Sequence, residues 1–137
     1  MSNMKILIVD DDPDVRQGLH VRLKASHYDS YFAADALSAI SEARKVQPDL
    51  ILLDLGLAGG DGFVVMERLR SNTHLACIPI IVVSARDPEA TQLRALKQGA
   101  QAFVHKPFDN DRLLETIRDV LGRQDRSLSP ADAKTEA

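Results

Sequence analysis

Apolar and polar positions along this chain fall into blocks of two kinds. Ile6–Val9 and Leu50–Leu53 are uninterrupted apolar runs, too short for helices and typical of strands buried on both faces of a parallel sheet. A third run, Ile78–Val83, is broken only by Pro79 near its start, and Tyr28–Ala33 and Ala102–His105 complete five predicted strands. The segments between them have helical spacing. The first helix is predicted from Pro13, with Asp12 as N-cap, to about Ser26, its inner face being Val15, Leu19, Val21 and Leu23. Asp35 caps a second helix that carries Leu37, Ile40 and Ala43 towards Val46 and is stopped by Pro48. Beyond glycines 56, 59, 60 and 62, the residues Phe63, Val64, Met66 and Leu69 predict a third helix to about Arg70. Asp87-Pro88 opens a fourth, with Leu93, Leu96 and Ala100 inward and Gly99 as its stop. The fifth spans about Asp109–Leu121, with Leu113, Leu114, Ile117, Val120 and Leu121 inward, and Gly122 sits where its end is expected.

Strand and helix alternating five times predict an α/β fold: a doubly wound, five-stranded parallel sheet with right-handed crossovers and helices on both faces. The folded unit is expected over 4–122, and the polar stretch 123–137 is expected to be a flexible tail or linker. At 137 residues this is one domain with a core of its own. The single cysteine, Cys77, excludes an internal disulfide framework, fits a reducing cytoplasm, and has the apolar neighbours of a buried thiol. No apolar stretch reaches membrane-spanning length, and the start MSNMKILIVDDD lacks the features of a signal peptide, so no membrane partner is expected. A net charge of -3 gives no footprint for direct nucleic-acid binding, and four scattered histidines make no zinc site. His20, His27 and His74 have surface or packing roles in this reading, and strand alternation points His105 away from Lys106.

Candidate chemistry lies at the strand ends. Four strands deliver polar groups to their carboxyl termini: Asp10 to Asp12, Asp54, Ser84 and Lys106. In a parallel sheet those termini share one edge, where open α/β sheets keep their sites. Carboxylates at close quarters repel unless a cation or proton intervenes, and Mg²⁺ suits one or two carboxylates with waters and phosphate oxygens as further ligands. A lysine and a hydroxyl are useful to a phosphoryl group in transfer. The expected outcome is phosphoryl transfer to Asp54.

The segments VDDDP at 9–13, LLDLGLAGGDGF at 52–63, VSAR at 83–86 and FVHKPF at 103–108, in this order and spacing, resemble the receiver domain of bacterial two-component response regulators. The resemblance covers about residues 4 to 122 and implies a flavodoxin-like three-layer sandwich. It implies Asp54 as phosphoacceptor, with Mg²⁺ held by Asp11, Asp54 and the Gly56 backbone carbonyl, and Asp10 acting through water. Ser84 and Lys106 would bind phosphate, Ser84 and Phe103 would form the switch, and Lys106-Pro107 would be cis. Such a protein is a switch rather than a turnover enzyme. Its partners would be a sensor histidine kinase or phosphotransfer protein upstream, and a downstream protein target or a fused output domain. The responsive surface would be the fourth helix, fifth strand and fifth helix. Ala58 stands where many members have proline, and Phe103 lacks the hydroxyl of the common tyrosine. Gln101 and Ala102 replace the acidic pair that winged-helix members use in a symmetric dimer.

Two other readings compete. The D-x-D spacing of Asp10 and Asp12 after a buried strand resembles haloacid-dehalogenase-like phosphatases, with Asp10 as nucleophile and Asp12 as general acid. That scheme lacks its late acidic pair and leaves Asp54 without a role. A pseudo-receiver acting only as an interaction module would usually have lost the acid pair, the acceptor or the lysine, all of which are present here.

Overall fold

Strands β1 (Met4–Val9), β2 (Tyr28–Ala33), β3 (Leu50–Asp54), β4 (Ile80–Ser84) and β5 (Ala102–His105) form one sheet in the order β2-β1-β3-β4-β5. Every neighbouring pair is parallel. Between and after them run α1 (Pro13–Ala25), α2 (Ala36–Val46), α3 (Gly62–Ser71), α4 (Pro88–Lys97) and α5 (Asn110–Leu128). The computed structural model describes residues 3–57, 62–86 and 88–128, without the side chains of 124–128.

The strands alternate their side chains between two cores. Leu7, Val9, Ile51, Leu53 and Val82 pack with α2, α3 and α4 through Ala43, Met66, Leu69 and Ala95. Ile6, Ile8, Leu50, Leu52, Ile81 and Val83 pack with α1 and α5 through Leu19, Leu23, Leu113 and Ile117. This is why the central runs are apolar at every position: both faces are covered. From β1 the chain turns to β2 on one side and later places β3 on the other, so the loops leaving β1 and β3 part above the sheet. The crevice between them is where an α/β sheet of this order keeps its site.

Capping follows the sequence reading. The Asp12 side chain accepts the Asp14 N–H at the start of α1. At α2, Asp35 and Ser38 form a reciprocal capping box, and Gln47 adopts a left-handed φ of 54° ahead of Pro48. Gly99, at φ 104°, follows α4 as expected. Asp87, Ala58 and glycines 59 and 60 lie outside the described residues.

Several inner-face assignments are corrected. Val21, Leu37, Leu93 and Leu96 are exposed, at 56, 76, 57 and 43%. Leu19 and Leu23 are buried one turn apart, and Val21 lies two positions from each, on the far side of the helix. In α2 and α4 the contact positions are the small residues Ala39, Ala43 and Ala95, and the leucines flank them. Cys77 is exposed, because the turn before β4 sends Leu75 inward instead. That strand begins at Ile80, after Pro79, whose missing N–H ends the ladder while its carbonyl accepts from Ile51. Helix α5 continues past Gly122 to Leu128. Gly122 has open space where a side chain would stand, and a glycine in a helix costs only about 1 kcal/mol relative to alanine, too little to force a stop.

Candidate functional site

At the carboxyl edge of the sheet, β1 ends at Val9 and β3 at Asp54, and the β1 and β3 termini bring three carboxylates together. One oxygen each from Asp10, Asp11 and Asp54 lies within 4.8 Å of the others, the only such group of possible metal ligands among the described residues. From the end of β5, Lys106 extends its ammonium to Asp10 Oδ2 at 3.3 Å and Asp54 Oδ2 at 3.4 Å. Residues 96 and 52 positions apart in sequence are thereby joined. The Lys106–Pro107 peptide bond is cis.

The chain fixes these groups locally. Asp10 Oδ1 accepts the Asp12 N–H at 2.9 Å, and the Asp10 N–H donates to the Ala33 carbonyl. Asp54 Oδ1 accepts the Gly56 N–H at 3.0 Å, turning the chain directly after β3. A side chain at Gly56 would meet that same Asp54 oxygen at 3.6 Å. The Gly62 N–H closes the loop onto the Leu55 carbonyl at 3.1 Å.

The floor of the site is apolar, lined by Ile8, Leu19, Leu52, Val83 and Phe108 beneath Asp10, Asp54 and Lys106. Asp10 is 4% exposed. Burial pushes its carboxyl above the ordinary carboxylate value; the Asp12 N–H and Lys106 pull it down, and the Asp54 charge raises it further. For Lys106, burial pulls the ammonium down, yet Asp54 and Asp10 together outweigh it and leave the pKa above its ordinary value. An acidic group with one lysine between two of its carboxylates can hold a hard divalent cation and an anionic oxygen side by side.

Ser84 ends β4 with its side chain buried, and its Oγ accepts the Arg86 N–H at 3.0 Å. Its strand pairs with β3 so that Val83 faces Asp54, which sets Ser84 one step beyond the acidic residue. Its carbonyl accepts the Lys106 N–H at 2.8 Å. Phe103, half-buried, packs against the α2–α3–α4 core. His105 is exposed, and His20 is engaged elsewhere, hydrogen-bonded to Ser30 at 2.5 Å and edge-on to Phe32.

Two arginines to which the sequence reading gave no role also belong to this region, Arg16 on α1 and Arg86 at the end of the VSAR segment. Arg16, on α1, donates to the Asp10 carbonyl at 3.0 Å, and Arg86 donates to the Leu55 carbonyl at 3.2 Å. Each ties down a loop beside a carboxylate. Their placement a few residues after a strand-end motif was the available signal. The phosphatase alternative finds no support: Asp12 is exposed, and its carboxylate is engaged as a helix cap.

The family described as the response regulator receiver domain matches residues 6–118. A DNA-binding dual master transcriptional regulator, RpaA of Synechocystis, is 37% identical over 122 residues, covering 89% of this chain and 51% of its own length. The protein PilH of Pseudomonas aeruginosa is 32% identical over 117 residues, covering 85% of this chain and 97% of its own. The chain spans about half the length of several curated relatives it matches. Among solved structures, the receiver domain of the sensor histidine kinase PA1611 of Pseudomonas aeruginosa superposes with a TM-score of 0.80 at 25% identity. The match covers 88% of this chain and 99% of that one, which holds a magnesium ion in its active-site cleft.

Proposed function

The chain belongs to the response regulator receiver-domain family of two-component systems, and from that premise we propose that it is a cytoplasmic switch activated by phosphorylation of Asp54. The observation that carries this reading is the Lys106 ammonium lying between Asp54 and Asp10, with Asp11 alongside. An ordinary strand-end turn has no use for three carboxylates and a half-buried cation.

In this reading an Asp54 oxygen attacks the phosphorus of a phosphohistidine on a sensor kinase or phosphotransfer protein. An acyl phosphate forms on Asp54, the donor's P–N bond breaks, and its electron pair returns to the histidine ring. Lys106 pairs with a phosphoryl oxygen, and the Ser84 hydroxyl turns from the Arg86 N–H to donate to another. The three clustered carboxylates suit Mg²⁺, which Asp11, Asp54 and the Gly56 carbonyl would hold directly and Asp10 through water. When bound, Mg²⁺ neutralises charge on the carboxylates and the phosphoryl oxygens. As Ser84 moves, Phe103 follows into the vacated space, and the α4–β5–α5 surface changes for a protein target or an output domain. Because Gln101 and Ala102 supply no acids, that surface forms no salt-bridged symmetric dimer of the winged-helix kind. The receiver unit in this reading is 4–122, with α5 running on past it to Leu128.

Incubation with Mg²⁺ and acetyl phosphate, followed by intact mass measurement, tests the reading. One phosphoryl group is expected on the wild type and none on Asp54→Asn. Equal labelling of the two proteins, or none in either, would overturn it.

A further inference from the structure

Between α2 and α3, away from the phosphoacceptor edge, lies an open groove of about 450 Å³ lined by Leu37, Ile40, Ser41, Arg44, Lys45 and Arg68. Its composition is uneven. Leu37 is the most exposed large apolar side chain among the described residues, at 76%. Val64, 41% exposed, lies one turn before Arg68 on the same face of α3. Along α2 the lining runs from apolar Leu37 and Ile40 to Arg44 and Lys45, with Arg68 contributed by α3 and Val64 exposed beside it. Among the described residues none of those cations is in an ion pair. In a chain of net charge -3, three unpaired positive groups around exposed leucine and valine form a patch opposite in sign to the molecule as a whole.

We propose that the α2–α3 groove is a docking site for an acidic amphipathic helix of a partner protein. Apolar side chains at helical spacing would pack on Leu37 and Ile40. Carboxylates one or two turns along would meet Arg44, Lys45 and Arg68. This is the pattern by which a helix lies in a groove, with apolar anchors giving affinity and charge giving register and orientation. Other occupants fit less well. No aromatic side chain lines the groove to stack on nucleobases, and two exposed apolar residues are a slight foothold on a bilayer. A second copy is also poorly matched. The other exposed apolar helix positions, Val21, Leu93 and Leu96, stand beside Arg22, Lys24, Arg94 and Lys97, and would bring like charge to the groove. The site shares no residue with the phosphoacceptor machinery and holds or fails independently of it.

The test uses the full chain and a fluorescein-labelled synthetic helix of about 18 residues, leucines at i, i+3, i+4 and i+7 and glutamates elsewhere. Fluorescence anisotropy should show saturable binding that weakens as NaCl is raised from about 0.05 to about 0.5 M. Backbone amide shifts should change within α2 and α3. Leu37→Asp and the pair Arg44→Glu with Arg68→Glu should each weaken binding about tenfold or more. All three positions are exposed, so circular dichroism and Asp54 labelling should match the wild type. Absence of binding would overturn the proposal, as would binding indifferent to these substitutions or shifts confined to other elements. Tighter binding of phosphatidylserine vesicles or single-stranded RNA through the same residues would also overturn it. So would self-association abolished by the charge reversals.

Discussion

Asp10→Asn removes the charge from the most buried of the three acidic residues while keeping its shape and the oxygen that accepts the Asp12 N–H. The carboxylate oxygens of Asp10, Asp11 and Asp54 lie within 4.8 Å of one another. At an effective dielectric of about 20, each such pair repels by about 3.5 kcal/mol or more. Asp11 is exposed, and solvent screening cuts its share to about half. Against this, Lys106 at 3.3 Å from Asp10 returns about 5 kcal/mol. Attraction and repulsion are thus nearly equal, and the cost of holding a charge above Leu19, Leu52 and Val83 decides the sign. The raised pKa of Asp10 says the same, with burial as its leading cause. The variant should therefore be more stable than the wild type in EDTA at neutral pH, by on the order of 1 kcal/mol, which raises Tm by about 3–5 °C. The penalty on the ionised form is absent below the ordinary value of 3.8 and grows as pH climbs through the higher folded value. The advantage should accordingly fade on acidification. Mg²⁺ should reverse the order, since the wild type gains more from binding it. With no tryptophan in the chain, thermal melts are best followed by far-ultraviolet circular dichroism. A variant melting below the wild type in EDTA, or keeping its whole advantage in acid, would refute the reasoning.

Three further outcomes are expected. Gly62→Ala places a methyl group 2.6 Å from the Leu55 Cα, a backbone atom that cannot give way, so urea unfolding should show a loss of about 1–3 kcal/mol and phosphorylation should slow. Ser84→Ala should accept phosphate on Asp54 yet lose the accompanying NMR shifts around Phe103; identical shifts in both proteins would break the proposed coupling. Lys106 has a folded pKa above its ordinary 10.5, so its contribution is full below that value and lost as pH rises through the folded one. Alkaline melts of the wild type should fall more steeply there than those of Lys106→Met.

The sequence was most legible where backbone demands were absolute. Strands covered on both faces must be apolar throughout, which made β1 and β3 plain, and their shared direction required Asp10, Asp54, Ser84 and Lys106 to meet at one edge. The doubly wound parallel sheet followed from alternation, and the family, with the flavodoxin-like sandwich it implies, from four motifs in order. What failed was the phase of the helices. Val21, Leu93 and Leu96 are expected inward and are exposed, as is Leu37, whereas close approach of helix to sheet selects alanines, of which the pattern marks Ala43 but not Ala39 or Ala95. Periodicity reports that a face exists; it does not reveal that a small side chain marks its centre. Long cations were similarly opaque. Arg16, Arg70 and Arg94 sit in helices like any solvated charge, but they bond the Asp10 carbonyl, the Gly99 carbonyl and the Phe63 ring. A guanidinium reaches several ångströms in any direction, so its partner is set by tertiary structure alone.

Those arginine contacts bear on how a change at Asp54 could travel. Helix α3 buries Gly62, Phe63, Val65, Met66 and Leu69, whereas α4 buries Ala95 alone. At about 25 cal/mol per Å² of apolar surface, that difference makes α4 several kcal/mol less firmly held by its packing. Its fastenings are polar instead: Arg94 lies 3.8 Å over the Phe63 ring, and Arg70 donates to the Gly99 carbonyl beyond its last turn. Contacts of this kind contribute about 0.5–2 kcal/mol each and can be exchanged for water at little cost. The chain entering α4 leaves the buried Ser84 and passes Arg86, whose guanidinium holds the Leu55 carbonyl next to Asp54. The helix with the least apolar anchorage is thus the one whose N-terminal approach is tied at two points to the acidic edge. In the proposed reading, a phosphoryl charge on Asp54 would compete first with those two ties, and α4 is the element on which it would have the least apolar packing to overcome.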